Sequence, residues 1–323
     1  MKLHRRRILH LAAGAAVLPA LPRSAFADTY PSRPVQMIVP FPPGSSPDII
    51  ARLSGEWLAE RLGQNFVVQN RPGAGGNIAT EIVVHAEADG YTILADVLSN
   101  VLNASLYHHL SFNFLRDIAP VATVANAPYV VLATQSLPAK TIPELIAYAK
   151  ANPNKINFAS GGIGTASHIF GLLFMTMAGI ELVHVPYRTN YMPDLISGQV
   201  QMVINPIPQA MEFVKAGKVR ALAVTTKERL AALADLPTVA QFVPGYEAIG
   251  WYGIGAPKTT PGEIIAKLNA AVNAALDQAT PQARLAALGV EPMKKTPAEF
   301  AQFITAENDK WGKVIRAANL KLD

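Results

Sequence analysis

The chain has 323 residues, half of them hydrophobic, with 28 Lys and Arg against 23 Asp and Glu and no cysteine. The absence of cysteine excludes disulfides, thiolate metal sites and cysteine nucleophiles. The net charge of +5 belongs to residues 1–27, where Lys2, Arg5, Arg6, Arg7 and Arg23 stand with no acid; taking these five from 28 leaves 23 basic and 23 acidic residues in 28–323. Nucleic-acid binding needs a net positive field, so no nucleic-acid partner is expected.

Residues 1–27 have the three parts of a cleaved export signal. A basic segment runs from Lys2 to Arg7, an apolar run from Leu11 to Leu21, and a small-residue site closes it at Ala25-Phe26-Ala27. The apolar run is too short to span a bilayer, which needs about 20 residues. Arg5-Arg6-Arg7-Ile8-Leu9 resembles a twin-arginine signal; an ordinary secretory signal is the alternative. Cleavage near Ala27 and a periplasmic location are expected.

The remainder is long enough for one large or two medium domains. In chain order, strands are predicted at Val35–Phe41, Phe66–Gln69, Tyr91–Ala95, Tyr129–Thr134, Ile156–Ala159, Leu182–Pro186, Val200–Ile204, Val219–Thr225 and Tyr252–Ala256. Many are continuous Val, Ile and Leu runs, which suit parallel strands buried on both faces. Between them lie helices. Ser46-Pro47-Asp48 opens one whose Ile50, Leu53, Trp57, Leu58 and Leu62 share a face, and Gly63 stops it. Thr141–Glu144, Thr260–Glu263 and Thr296–Glu299 each read T-x-x-E. In that box the threonine hydroxyl caps a free N–H and the glutamate reaches back to the cap's own N–H. The last two place proline at the first helical position. Strands alternating with helices predict an α/β architecture. No Gly/Ser linker divides the chain, so two domains would be joined by crossing strands.

Three glycine- or serine-rich turns stand between a strand and a helix: Phe41–Asp48, Arg71–Asn77 and Ser160–Ser167. Helix N-termini offer unpaired N–H groups and partial positive charge to an anion. None of the three is a Walker loop or a dinucleotide fingerprint. The trio predicts a shared anion site; three plain strand–helix turns are the alternative. Enzyme signals are thin. Ser167 and His168 are adjacent, so on a helix their side chains diverge and make a poor nucleophile–base pair. His108-His109 reads as exposed loop. Gly250–Pro257 concentrates aromatics that either wall a cleft or pack in a core. Asn205, at a strand end, could offer its amide to a ligand.

At these residues the chain resembles the substrate-binding receptors of tripartite tricarboxylate transporters, the Bug receptors. The likeness rests on Tyr30-Pro31-Ser32-Arg33-Pro34, Val39–Gly44 with Asp48, Asn70–Asn77, Asp89-Gly90-Tyr91-Thr92, Ser105-Leu106-Tyr107 and His184-Val185-Pro186-Tyr187. It continues through Ala216–Ala223, Leu236-Pro237-Thr238-Val239, Trp311 and Lys313-Val314-Ile315. It implies a periplasmic-binding-protein fold of type II kind. Two α/β domains would be joined by crossing hinge strands, with a ligand cleft between them. The expected division is 1–27 signal, 28–125 with 249–323 as the first domain, and 126–248 as the second. The implied function is a non-catalytic receptor that presents a small organic carboxylate to a membrane transporter. A receptor feeding a sensor kinase is the alternative, and an exported hydrolase using Ser167 and His168 the remote one. No cofactor or metal is expected, and the chain is expected to act as a monomer.

The residues expected to face the ligand are Phe41, Gly44, Ser45, Ser46, Asp48, Asn77, Ser99, Gly162, Thr165, Ala166, Ser167 and Asn205. Amides of Gly44, Ser45 and Ser46 would hold one carboxylate, and Thr165 and Ser167 would hydrogen-bond the ligand from the other lobe. Trp251 or Tyr191 would wall the cleft. The chain departs from the family at Arg188–Leu195, which is shorter and carries Tyr191. It departs again at Asn205-Pro206, where Asp and Asn are common, and at Ala95–Asn100, which lacks the usual small residues. These departures point to an unusual ligand.

Overall fold

A computed structural model describes residues 30–107 and 109–317. The export signal and His108 lie outside these residues. Nine strands form a mixed sheet: β1 Val35–Val39, β2 Phe66–Asn70, β3 Thr92–Val97, β4 Ile118–Ala133, β5 Asn157–Ser160, β6 Val183–Pro186, β7 Met202–Pro206, β8 Arg220–Val224 and β9 Ile249–Pro257. Their order is β2-β1-β3-β9-β4-β7-β5-β6, with β8 also paired to β4.

The sheet falls into two lobes that share β4. From Ile118 to Pro128, β4 runs antiparallel to β9, beside β3, β1 and β2. From Tyr129 to Ala133 it pairs with β7 and β8, beside β5 and β6. The expectation of parallel strands holds within β2-β1-β3 and within β7-β5-β6. It fails at β4, β8 and β9, which are antiparallel. Full burial made these runs look like parallel strands: Val121 to Ala125 and Tyr252 to Pro257 are buried throughout, so polar alternation is lost on both faces.

β4 is also far longer than Tyr129–Thr134. Pro120, Asn126 and Pro128 read as strand breakers, yet the strand runs through all three. Its register shifts between Pro120 and Ala122 and again between Thr123 and Ala125, irregularities of the kind that accommodate residues unable to join the ladder.

Helices cover the sheet. Ser46–Leu62 buries Ile50, Leu53, Trp57 and Leu58, and Gly63 ends it in the left-handed region at φ 73°. Pro297–Ala317 buries Phe300, Ile304, Trp311 and Ile315. Trp311 meets Phe170 with ring centroids 4.9 Å apart, tying the C-terminal helix to the second lobe. The three T-x-x-E segments behave differently. Thr296 and Glu299 form the complete reciprocal box. Thr141 caps Glu144, but Glu144 reaches Lys140 N–H rather than the cap. At Thr260 no box forms: Pro261 occupies the cap position, and the Thr260 hydroxyl is buried without a partner.

One buried acid stands out. Asp96 on β3 is 1% exposed, and neither carboxyl oxygen has a hydrogen-bond partner. Burial raises its pKa well above 3.8, so the folded chain retains a proton that the unfolded chain releases. Stability present below pH 3.8 is therefore lost as pH rises toward the folded pKa, by at most about 1.4 kcal/mol per pH unit. Asp96→Asn is expected to raise the melting temperature at pH 7 and to change it little at pH 4. An equal effect at both pH values would show that the carboxyl is ionised in the fold.

Candidate functional site

A cavity opens where β4 changes partners. It contains about 740 Å³ of non-atom space, counting open solvent at its mouth. Ala127 and Tyr129 of β4 and Gly250 and Tyr252 of β9 line it. The first lobe adds Phe41, Pro42, Pro43, Ser45, Pro47 and Val97–Ser99. The second adds Gly161, Thr165–Ser167, Tyr187–Tyr191, Pro206 and Gln209.

Four helices of nine residues or more begin at this cavity: Ser46–Leu62, Leu98–Leu106, Ala166–Ala178 and Ile207–Lys215. Each presents the positive end of its dipole. No Asp or Glu is among the lining residues, and Arg188, exposed, is their one charged side chain. The site is electropositive mainly through backbone dipoles.

The Ser46 and Ala166 helices start in the same way. Their caps, Ser45 and Thr165, have φ −72° with ψ 159° and 158°. Each cap N–H donates to the carbonyl three residues back, Pro42 at 3.2 Å and Gly162 at 3.3 Å. Each hydroxyl donates to that same carbonyl, at 2.6 and 2.7 Å. Each cap follows a glycine with positive φ, Gly44 at 76° and Gly164 at 84°. Pro42–Ser45 and Gly162–Thr165 are thus one type II turn built twice, with glycine where φ must be positive. The hydroxyl that would ordinarily cap the helix is turned away, which leaves first-turn amides for an outside acceptor.

Two serines also tie the lobes together. Ser99 Oγ, from the first lobe, accepts the Ala166 N–H at 3.1 Å. Ser46 Oγ accepts the Gln209 N–H at 3.0 Å. The Phe41 ring reaches Gly161, where an added Cβ would lie 3.6 Å from Cε1.

Of the expected residues, Phe41, Ser45, Ser99, Thr165, Ala166 and Ser167 line the cavity, and Ser46 acts from behind through Gln209. Gly44 and Asp48 do not line it. The Gly44 N–H is spent on Asp48 at 2.9 Å, and Asp48 also binds Arg52 and Asn70. These contacts lower the Asp48 pKa against the pull of burial, so Asp48 is an internal anchor for the turn. Gly162 and the Arg71–Asn77 loop border an adjoining cavity, and Asn77 is buried beneath that loop against Asn103. Two of the three anion turns therefore border the main cavity, and all three border the adjoining one, where Pro72–Gly76 faces Phe41, Pro42 and Gly161–Ile163. Asn205 is fully buried, its Oδ1 taken by the Tyr191 hydroxyl at 2.5 Å and its Nδ2 by Pro206 O. Trp251 borders the cavity, but its indole packs edge-on against Phe300 and Phe303. Alternation along β9 sends Tyr252 to the cavity side instead. Ser167 and His168 do not pair: Ser167 Oγ accepts Gly161 N–H, and His168 Nδ1 accepts Gly164 N–H.

Residues 50–320 match the family described as tripartite tricarboxylate transporter family receptor. BugT of Bordetella pertussis is 37% identical over 92% of both chains. The chain belongs to this receptor family. Among solved structures, Rpa4515 of R. palustris with adipate has a TM-score of 0.88 at 36% identity, covering 90% of this chain and 99% of that one. MatC of Rhodopseudomonas palustris with bound malate has a TM-score of 0.84 at 33% identity, covering 88% and 100%. The periplasmic binding protein BugD gives 0.87 at 33%, covering 90% and 99%. The receptor accordingly has the periplasmic-binding-protein fold, two α/β lobes joined by crossing strands. No helix among the described residues is long and apolar enough to cross a membrane.

Sequence reasoning missed several lining residues of this receptor, Tyr129, Tyr187 and Gln209 among them, and left Tyr252 between cleft wall and core. Tyr129 reads as an ordinary strand residue because nothing local marks where β4 changes partners. It also missed a histidine pair behind the Ser160–Ser167 loop. His168 and His184 stack with centroids 4.0 Å apart, and His184 Nε2 meets Ser160 Oγ at 2.7 Å. Burial lowers both pKa values, His168 to about 3 with help from its neighbour and His184 to about 4.

Two predictions follow from this geometry. Loss of the serine ties in a Ser46→Ala, Ser99→Ala double variant should favour an open form, read as a larger radius of gyration in solution scattering. An unchanged radius would show that the ties do not hold the lobes. For the histidines, the unfolded chain takes up protons below pH 6.5 while the folded pair stays neutral. Stability is complete above pH 6.5 and falls as pH drops toward 4. His168→Asn keeps an acceptor for Gly164 N–H, so its melting temperature should fall less than wild type between pH 7 and 5; parallel losses would refute the assignment.

Proposed function

We propose that this receptor binds a small organic carboxylate in the periplasm and delivers it to a tripartite tricarboxylate-type membrane transporter. The carrying observation is the duplicated turn. Two uncapped helix starts, one from each lobe, border a single cavity with no acid among its lining residues. First-turn amides at Ser46 and Ser167 would take carboxylate oxygens, with the Thr165 and Ser167 hydroxyls beside them. The adipate and malate bound by similar receptors support the same ligand class here.

The proposed domains are 28–125 with 249–323, and 126–248. The change of partners on β4 at Pro128–Tyr129 and the start of β9 at Ile249 support these limits. Closure would be a hinge movement about β4 and the residues entering β9, completed by the Ser46 and Ser99 ties. The receptor would work as a monomer and show its closed face to the transporter.

The test is a thermal-shift panel of mono-, di- and tricarboxylates at saturating concentration. A ligand at one hundred times its Kd adds about 2.7 kcal/mol, which should raise the melting temperature by about 5 °C or more. A broad panel with no shift would refute the carboxylate reading.

A further inference from the structure

We propose that the preferred ligand is an aromatic carboxylate: the cavity is shaped for a flat ring carrying its carboxylate toward the helix starts. The proposal rests on the carboxylate reading above and narrows it to one class.

Besides Trp251, whose indole packs away against Phe300 and Phe303, five aromatic residues line the cavity: Phe41, Tyr129, Tyr187, Tyr191 and Tyr252. They come from three directions. Tyr129 and Tyr252 stand on the shared sheet. Phe41 comes from the turn after β1. Tyr187 and Tyr191 come from the second lobe and pack edge-to-face, with centroids 6.0 Å apart at 74°. Tyr129 is itself fixed by an edge contact with Phe170 at 4.8 Å. Rings held in place this way offer preorganised faces and edges to a planar ligand.

The floor beside the tyrosines is made of small residues. Ala127 on β4 pairs with Gly250 on β9, and each is two residues from a tyrosine, Tyr129 and Tyr252. Side chains two apart on a strand share a face. A Cβ on Gly250 would lie 3.4 Å from both Ala127 Cβ and Tyr129 Cε2, so the Tyr129 ring lies against the Gly250 backbone. Tyr129 thus covers part of the floor, and Tyr252 stands on the same face.

The hydroxyl of Tyr252 stands beside the Ser46 side chain. The residue is 4% exposed, and that contact falls short of full hydrogen-bond geometry. Buried donors are rarely left unpaired in native proteins. Tyr191 is committed to Asn205, but Tyr252 has a proton to give to an acceptor on the ligand body. Burial raises the pKa values of Tyr129, Tyr191 and Tyr252, so all three remain neutral phenols. A polar substituent para to the carboxylate would meet this need, whereas a bare methylene chain would not.

The experiment compares Kd values by calorimetry for benzoate, 4-hydroxybenzoate, benzene-1,4-dicarboxylate, cyclohexanecarboxylate, succinate and adipate on the mature wild-type receptor. At least one arene should bind about tenfold or more tightly than cyclohexanecarboxylate and the chain diacids. Tyr187→Leu, at a half-buried position, should weaken arene binding by a larger factor than binding of the aliphatic acids; an equal loss for both would count against a role for the ring. Adipate or succinate binding as tightly as every arene would overturn the aromatic inference and leave the carboxylate reading standing. Binding of none of these acids, or of any carboxylate in the thermal panel, would overturn both.

Discussion

The structure depends on β4 being continuous through both lobes. Its sixteen residues pair with β9 over the first part and with β7 and β8 over the last. Each lobe completes its sheet with a piece of the same strand, so neither lobe is edge-complete without it. The cavity lies where the partners change, because two sheets that share one strand but diverge beyond it must leave a gap at their junction. That gap receives the ends of the strands from both sides, and hence the starts of the helices that follow them.

Those helix starts explain how residues 28–323, with 23 basic and 23 acidic side chains, can present an anion site. The field comes from aligned peptide dipoles and open N–H groups rather than from fixed cations. Such a site has no buried charge to neutralise when it is empty, so it avoids the desolvation cost that a buried lysine or arginine would carry. Asp48 is consistent with this economy. Its charge is held by Arg52, Asn70 and Gly44 inside the loop, where it shapes the turn without facing an incoming anion. The same turn geometry at Pro42–Ser45 and Gly162–Thr165 shows that unrelated residues, Pro-Pro-Gly-Ser and Gly-Ile-Gly-Thr, meet one requirement by different means. Proline presets φ in one, and the positive-φ glycine is common to both.

Much of the fold was legible in the residues. Ser46-Pro47-Asp48 and Gly63 marked both ends of a helix, and the Thr296–Glu299 box formed as written. The apolar runs located all nine strands, covering β1, β6 and β8 in full, most or part of β2, β3, β5, β7 and β9, and only the last part of β4. Their direction was not legible, since antiparallel strands buried on both faces lose the alternation that distinguishes them. Pro120 and Pro128 hid the rest of β4, because whether a strand can carry a proline depends on the partner it pairs with. At the cavity, Ser45, Ser99, Thr165 and Ser167, expected from turn chemistry and resemblance, are among the lining residues. Gly44, Asp48 and Asn205 were drawn to internal partners that no local pattern announces.

By itself, then, the sequence determined the basic excess of residues 1–27, the neutral balance of residues 28–323, the α/β alternation and the positions of the glycine- and serine-rich turns. These are local properties, set by side-chain chemistry and short-range backbone preference. Tertiary structure alone decided which turns meet. It brought Ser46 to Gln209 and Ser99 to Ala166, separated the Arg71–Asn77 loop from the main cavity, and turned Tyr252 inward while Trp251 packed against Phe300. Contacts between residues so far apart in the chain depend on strand order and on which face of a strand each side chain takes. Both are properties of the assembled sheet rather than of any segment within it.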